Sequence, residues 1–407
     1  QIHTYLYYCY RDRKRYLRML QQVLILRMLP KLNEKIRVLH VVKWFYAGGA
    51  ERMLASLLAH SDRDKFEHVV LSLSEQGERI ADVQHTLGIP YKSFAFPYGK
   101  FDWAMHRECF RFIRDTNPDV IKTWLAPANI TGGIMAKLLR KPLIWGIHNV
   151  FYSKPYPRDI RIQTKLAPFL PDAIVCCAPP AYESCIRMGY NKKQLNTIVN
   201  GTDTDIFRRS EEGRKRIRSE LGIGEDIILI GMAAEYRPHK RHQHFMIAAK
   251  LLSLSHPNVQ FLFCGIDTTP HNPELMGQAA FLELENHLHL LGIRDDMPDI
   301  YSALDINTLN PPFEAFGLAI TEAMACETPC VATDVGLMRE FLDDVGIVYA
   351  VEEGPASLVH AWKQTMALPD AEKRRRTEKG RRRVIEKYSI TRTAKNYDDL
   401  YEKLATR

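Results

Sequence analysis

The sequence lacks the spacing patterns of metal-bound and disulfide-bonded scaffolds. Its eight cysteines stand at positions 9, 109, 176, 177, 185, 264, 326 and 330, with no Cys-x-x-Cys pair. Zinc ribbons and small disulfide frameworks need regular cysteine spacing, so both are excluded. We expect reduced and mostly buried thiols, because free cysteine behaves as a small apolar side chain. Histidine and carboxylate residues show no metal-site spacing either, and we expect no metal.

Net positive charge is confined to two short stretches of the chain. The formal net charge is +8, from 56 Lys and Arg against 48 Asp and Glu. Residues 1–35 hold eight basic and two acidic side chains and residues 373–383 hold eight and one, so the remainder is slightly acidic. Nucleic-acid surfaces need basic side chains interleaved with aromatic ones, and no such stripe is present. We expect no nucleic-acid partner, and we interpret 373–383 as a solvated helix face.

The N-terminal extension, residues 1–35, has no apolar run long enough to cross a bilayer. Its longest uncharged stretch, Met19–Leu26, has eight residues, against roughly 20 for a spanning helix. Arginines precede and interrupt this apolar segment, which is typical of a helix lying in the membrane interface. We predict peripheral contact with a membrane surface through residues 11–29. A helix packed on the protein's own surface is the alternative.

From Ile36 onward, short apolar runs alternate with amphipathic stretches, which predicts parallel α/β sheets. The alternation is interrupted near Asn200-Gly201 and restarts at 227–233. We therefore predict two Rossmann-like, doubly wound domains that face a central cleft. The predicted first-domain strands are 36–42, 68–73, 120–124, 143–148 and 173–177, and the second-domain strands are 227–233, 260–265, 306–310 and 330–333. The predicted domains are 36–200, 201–385 and a terminal helix, 386–407, that packs back on the first domain.

Two turns after strands carry the residues that suit a ligand. Gly48-Gly49 opens a helix after the first strand, and free amides at a helix start attract anions. Glu314 and Glu322 are eight positions apart around a second helix start, so both carboxylates can face one cleft. The amides of the intervening segment 316–318 suit a phosphate. Carboxylates that bind hydroxyls beside amides that bind phosphate favour a sugar nucleotide.

These motifs resemble the retaining glycosyltransferases of the GT-B fold, group 1, family 4. The resemblance runs from Ile36 to Lys403, and its most specific feature is Glu-x7-Glu with Phe-Gly-Leu between the carboxylates. Supporting segments are GGAER at 48–52, NGTD at 200–203, MPDIYSALDI at 297–306 and IEKYSITRTAKNYDDLY at 385–401.

The resemblance implies a role for several residues. Glu314 would hold the hydroxyls of the donor sugar, and Glu322 would hold the ribose. Lys240 would neutralise the leaving diphosphate, and His148 would be the active-site histidine near the sugar. The donor-binding set is completed by the glycine turn and the helix start, Gly48, Gly49, Phe316, Gly317 and Leu318.

One position departs from the family pattern. An arginine usually stands about five residues before the lysine, but here Glu235 occupies that place. A carboxylate beside a diphosphate repels it. Three explanations stay open. Arg237 or Arg241 supplies the missing charge from a shifted position, the donor is bound differently, or the site has lost its activity.

The resulting expectation is a metal-independent, retaining hexosyltransferase that uses no cofactor apart from its nucleotide-sugar co-substrate. The donor is a UDP- or GDP-sugar, and the acceptor is a glycan hydroxyl, lipid-linked if the enzyme works in polysaccharide biosynthesis. The expected location is cytoplasmic, peripheral on the inner face of the membrane. A sugar-nucleotide epimerase of the same fold and a catalytically degenerate membrane-bound scaffold are the alternatives.

Overall fold

The computed structural model describes residues 35–43, 48–74, 86–96, 102–151 and 155–406. The expected membrane segment, 11–29, and the rest of the extension up to residue 34 lie outside the described residues. Among the described helices, none combines the length and the apolar character needed to span a membrane.

The first domain is built on a seven-stranded parallel sheet with the order β3-β2-β1-β4-β5-β6-β7. Its strands are β1 (Ile36–Val42), β2 (Phe66–Ser72), β3 (Tyr91–Ser93), β4 (Val120–Trp124), β5 (Leu143–Ile147), β6 (Ala173–Cys176) and β7 (Leu195–Thr197). Its helices are α1 (Gly49–His60), α2 (Trp103–Thr116), α3 (Leu125–Leu138), α4 (Arg158–Leu166) and α5 (Pro179–Arg187).

The second domain is built on a six-stranded parallel sheet with the order β10-β9-β8-β11-β12-β13. Its strands are β8 (Ile228–Ala233), β9 (Val259–Cys264), β10 (Leu288–Leu290), β11 (Ile306–Leu309), β12 (Cys330–Thr333) and β13 (Ile347–Tyr349). The helices that follow β7 are α6 (Glu211–Glu220), α7 (His242–Ser253), α8 (Pro273–Phe281), α9 (Met297–Ala303), α10 (Leu318–Ala325), α11 (Met338–Leu342), α12 (Gly354–Met366), α13 (Asp370–Lys387) and α14 (Ile390–Ala405).

Both sheets are buried on both faces, which explains why their strands are apolar almost throughout. The strand order reverses between β1 and β4 and again between β8 and β11. Ligands of doubly wound sheets bind at such switch points, beyond the carboxyl ends of the strands. The predicted pair of doubly wound domains is confirmed, and it places the carboxyl ends of β1, β5, β8 and β11 around the cleft. The seven cysteines in the described segments are free and buried, as expected.

The C-terminal helices connect the two domains. Helix α13 packs on α10 of the second domain, whereas α14 packs on α1 and β1 of the first. The turn between them is held at the interdomain linker, because the amide of Thr202 donates to the Tyr388 carbonyl (2.8 Å) and the amide of Ile390 donates to the Thr202 carbonyl (3.0 Å). The chain therefore crosses between the domains twice at one place.

The basic segment 373–383 lies in α13 and is not simply a solvated face. Arg381 donates to the carbonyls of Phe207 (2.9 Å) and Thr204 (3.1 Å), and Arg383 donates to the carbonyl of Phe341 (2.7 Å). Guanidinium groups with several donors suit carbonyls that have no partner within a helix or strand. Two of the arginines thus hold the helix to the second domain and to the linker, which corrects the interpretation drawn from the sequence.

Gly201 is the closest point of the interdomain crossing. A Cβ atom there would lie 2.6 Å from the Cα atom of Ile390, a backbone atom that no side-chain rotation can move away. We expect Gly201→Ala to lower the free energy of unfolding by about 1–3 kcal/mol, as overpacking does, measured by chemical denaturation. The control is Gly277→Ala in α8, where nothing lies within 4 Å of the added Cβ and a small gain is expected. Equal effects of the two changes would contradict this account of the crossing.

Candidate active site

The two residues predicted to act on the donor sugar and the leaving group are brought together. Glu314 follows β11 and Lys240 ends the short turn Pro238–Lys240 after β8. The Lys240 ammonium donates to Glu314 Oε2 at 2.8 Å, with less than a fifth of either side chain exposed. Burial raises the pKa of the Cys177 thiol, and the Glu314 carboxylate raises it further, so Glu314 lies near the end of β6 in the first domain. The pair therefore faces the cleft between the domains.

Glu322 is held by partners on both of its oxygens. Arg52 of α1 donates to Oε1 at 2.5 Å, across the interdomain boundary. The Tyr301 hydroxyl donates to Oε2 at 3.0 Å. The carboxylate is almost fully buried, and burying an unpaired charge is costly, so the guanidinium is essential to its stability there. A ribose bound at Glu322 would have to share or displace these donors.

The start of α10 contributes its backbone to the cleft. Gly317 precedes the helix with φ +90°, and a Cβ there would collide with the Met338 side chain. The Phe316 ring is buried against Phe341, with ring centroids 5.1 Å apart, so only its backbone can serve a ligand. The predicted anion site at this helix start therefore depends on amides and not on side chains.

The glycine turn of the first domain lies against the same helix start. A Cβ on Gly49 would lie 3.7 Å from Leu318 Cδ1, and the Gly48 carbonyl accepts from the Arg52 amide at 3.0 Å. Gly48 also leaves room for the Glu51 carboxylate, which a Cβ would overlap. The two glycines thus allow α1 and α10 to approach each other across the cleft.

His148 directly follows β5 and stacks on Trp124, with ring centroids 4.8 Å apart and planes 17° from parallel. Both of its ring nitrogens are buried, and neither has a hydrogen-bond partner within the described part of the chain. Burial, and then the nearby Lys122 ammonium, lower the pKa of His148 to about 3. The imidazole is therefore neutral at any physiological pH.

Glu235, which replaces the family arginine, is part of a small charge cluster. Arg237 is 61% exposed and its Nε lies 3.3 Å from Glu235 Oε2, so its charge is shared with that carboxylate. Arg241 instead donates to the Val351 carbonyl at 3.3 Å. Burial raises the pKa of Glu51 in the first domain to about 7, and the Glu235 charge adds to that increase.

The Asp203-Thr204-Asp205 segment does not have the arrangement of a metal site. Asp203 Oδ1 accepts from the amides of Asp205 and Ile206, both at 3.1 Å, and so caps a turn. Its other oxygen lies 3.4 Å from Nε2 of His60. Within the described parts of the chain, no group of three or more histidine, cysteine or carboxylate side chains is placed to hold a metal ion.

Two family profiles match consecutive parts of the chain. The profile for glycosyltransferase family 4 matches residues 47–206, and the profile for glycosyl transferases group 1 matches residues 213–384. The chain belongs to the group 1, family 4 glycosyltransferases. The first profile includes Arg52 and His148, and the second includes Lys240, Glu314 and Glu322.

Relatives and solved structures agree with this membership. The chain is 23% identical over 239 residues to the Escherichia coli UDP-Gal:alpha-D-GlcNAc-diphosphoundecaprenol alpha-1,3-galactosyltransferase, a match that spans 56% of this chain and 60% of the relative. It is 26% identical over 211 residues to the Bacillus anthracis N-acetyl-alpha-D-glucosaminyl L-malate synthase, spanning 51% of this chain and 54% of the relative. Anabaena Alr3699/HepE in complex with UDP-glucose superposes with a TM-score of 0.80 at 20% identity, covering 90% of this chain and 100% of that one. These structural neighbours establish the GT-B fold.

Several residues of this glycosyltransferase site were not singled out in the sequence. Arg52 stands inside the GGAER segment, in which only Gly48 and Gly49 were predicted to bind the donor. Tyr301 stands inside the segment MPDIYSALDI at 297–306, and Glu51 directly precedes Arg52. Lys122 lies in the middle of an apolar strand and had no signal in the sequence beyond its charge.

The interdomain ion pair can be tested by a double-mutant cycle. Arg52→Leu leaves the buried Glu322 carboxylate without its guanidinium, and we expect the free energy of unfolding to fall by about 2 kcal/mol. The double variant Arg52→Leu/Glu322→Leu removes both charges, and we expect it to recover most of that loss. Chemical denaturation of the wild type, the two single variants Arg52→Leu and Glu322→Leu, and the double variant is the measurement. A double variant that is as unstable as the sum of both single variants would show that the two residues are not coupled.

Proposed function

We propose that the protein is a retaining glycosyltransferase that transfers a hexosyl unit from a nucleotide-diphosphate sugar to a hydroxyl acceptor. The observation that carries the proposal is the pair of Glu314 and Lys240, 2.8 Å apart at the cleft. The family membership supports the same reaction class. The complexes of Anabaena Alr3699/HepE with UDP-glucose and with UDP support a nucleotide-sugar donor, and a GDP-sugar remains the other candidate.

In the proposed mechanism, Glu314 and Lys240 act on different parts of the donor. Glu314 accepts hydrogen bonds from the hydroxyls of the donor sugar, and the Lys240 ammonium turns toward the diphosphate. Negative charge develops on that leaving group in the transition state. Lys240, together with the amides of Gly317 and Leu318, stabilises it by electrostatics arranged before the reaction starts, without a metal. Glu322 is proposed to bind the ribose beside Arg52.

The proposed route to retention is substitution on the same face of the sugar, in which the leaving phosphate helps to deprotonate the acceptor hydroxyl. His148 contributes a neutral imidazole that accepts or donates one hydrogen bond to the sugar or the acceptor. Approach of the two domains excludes water and so limits hydrolysis of the donor.

The proposed acceptor is a lipid-linked glycan of polysaccharide biosynthesis. The support is the name of the Escherichia coli relative, which acts on a diphosphoundecaprenol-linked sugar, and the basic apolar segment 11–29. Basic residues beside apolar ones favour an anionic membrane surface. We propose a cytoplasmic protein that binds peripherally to the inner face of the membrane.

Replacing either member of the catalytic pair tests the reaction. We expect Glu314→Ala and Lys240→Ala each to lower kcat by about 10²–10³-fold, the usual cost of removing one transition-state contact, with the fold retained. The assay is transfer from UDP- and GDP-sugars, with product analysis in the absence of acceptor to detect epimerisation.

The matched controls are Glu283→Ala and Lys250→Ala. These residues form another ammonium–carboxylate pair, 2.5 Å apart, on α7 and the loop after α8. We expect near wild-type transfer from both. Full activity of the Glu314 and Lys240 variants would refute the assignment, and interconversion of the free donor would replace it with an epimerase.

Deletion of residues 1–34 tests the membrane contact. We expect the full chain to co-sediment with anionic vesicles and not with zwitterionic ones, and the shortened protein to stay in the supernatant. Unchanged binding after the deletion would mean that this segment does not carry the contact.

A further inference from the structure

Lys122 is a fully buried cation that no step of the proposed reaction uses. It lies in β4, where neighbouring strands and α14 enclose it. Its ammonium donates to the Thr123 carbonyl at 3.2 Å and lies 4.6 Å from the ring centre of Trp124 and 5.6 Å from that of Tyr397. Among the described residues, no carboxylate is within 4.0 Å of it. Aromatic faces recover only part of the solvation that such a cation loses.

The groups around Lys122 come from every element packed against it. They are His40 of β1, His148 after β5, Cys176 and Cys177 at the end of β6, and Tyr397 of α14. Burial lowers the pKa of Lys122 to about 7, and the thiols of Cys176 and Cys177 act weakly in the opposite direction. Because the thiols and the phenol of Tyr397 are themselves neutral at this burial, they provide no counter-ion.

Lys122 and His148 meet beside Gly146. A Cβ on Gly146 would lie within 3.1 Å of both the Lys122 ammonium and His148 Nε2. Both side chains also pack on the Trp124 ring. The absence of a side chain at Gly146 therefore leaves room for the ammonium and the imidazole on the same side of the sheet. Among the described residues, the imidazole nitrogens have no hydrogen-bond partner.

We propose that Lys122 is a positioning residue that adds to burial in keeping the imidazole of His148 uncharged against Trp124, so that the histidine meets a substrate hydroxyl as a neutral hydrogen-bond partner. The substrate part of this inference rests on the proposed function. A second positive charge beside the ammonium is strongly disfavoured where little solvent screens the two.

As the pH falls, Lys122 gains its proton before a free histidine would. A free histidine becomes protonated as the pH falls below about 6.5. Lys122 is already charged there, because its own pKa is about 7. The repulsion therefore adds to the effect of burial over the whole pH range in which a solvent-exposed histidine would gain a proton.

The test is Lys122→Met, which keeps the length of the side chain and removes the charge. We expect the imidazole of His148, followed by NMR of the labelled protein, to titrate at a pH higher by roughly one unit than in the wild type. The acid limb of the kcat/KM profile should move in the same direction. Lys250→Met, on the far side of the second domain, is the charge control and should leave both readouts unchanged.

The stability of the variant separates a positioning role from a structural one. A buried lysine with a lowered pKa destabilises the folded state below pH 10.5, and the penalty is complete once the pH is below 7. Lys122→Met should therefore raise Tm relative to the wild type most at pH 6, with the gain shrinking as the pH rises toward 10.5. A structural lysine would give a lower Tm at every pH.

The proposal is overturned if His148 titrates identically in the variant and the wild type. If Lys122→Met does not fold, the lysine is titrated by NMR in the unaltered protein, where a pKa near 10.5 would also overturn it. Absence of sugar transfer by the wild type would refute the proposed function and leave the NMR result intact, so the two failures are distinguishable.

Discussion

The geometry of the cleft depends on the hydrogen bonds that join the two segments in which the chain crosses between the domains. Thr202 on the outward crossing exchanges backbone hydrogen bonds with Tyr388 and Ile390 on the return, and Gly201 has no side chain that would separate them. Since both crossings lie at one place, the domains share a single pivot. Rotation about it can open or close the cleft without disturbing either sheet, as in hinge motions of other two-domain enzymes.

The charge pairs in the cleft respond differently to such a rotation. Glu314 and Lys240 belong to the same domain, so their contact is independent of the distance between domains. Arg52 and Glu322 belong to different domains, and separating the domains would leave a buried carboxylate without its cation. Because unpaired charge in a poorly solvated site is costly, this ion pair favours the closed arrangement. The residues proposed to hold the nucleotide and those that hold the domains together are thus partly the same.

Much of the architecture could be predicted from the sequence, since both sheets are covered on both faces and their strands are continuous apolar runs. The expected strand 260–265 differs from β9 by one residue at each end. The Glu-x7-Glu spacing likewise predicted two carboxylates of the candidate site, Glu314 and Glu322. What could not be predicted were contacts between distant residues, such as Arg52 with Glu322, 270 positions apart. The burial of the Phe316 ring, which leaves only its backbone for a ligand, also depends on contacts with distant residues and could not be predicted. The contacts that Arg381 and Arg383 of α13 make with distant carbonyls could not be predicted either.

The structure also bears on the repulsion expected between a diphosphate and Glu235, the carboxylate that replaces the family arginine. In the sequence, Glu235 places a negative charge where a diphosphate is expected. In the structure, Arg237 is within 3.3 Å of it, and Glu51, which lies near it, has a pKa of about 7 because of burial and then of Glu235 itself. Near neutral pH, Glu51 therefore carries only part of a charge, and Arg237 offsets part of the charge of Glu235. The repulsion that motivated a degenerate site is smaller than the sequence implies, while Lys240 and the α10 amides remain on the side of the cleft where the diphosphate is proposed to bind.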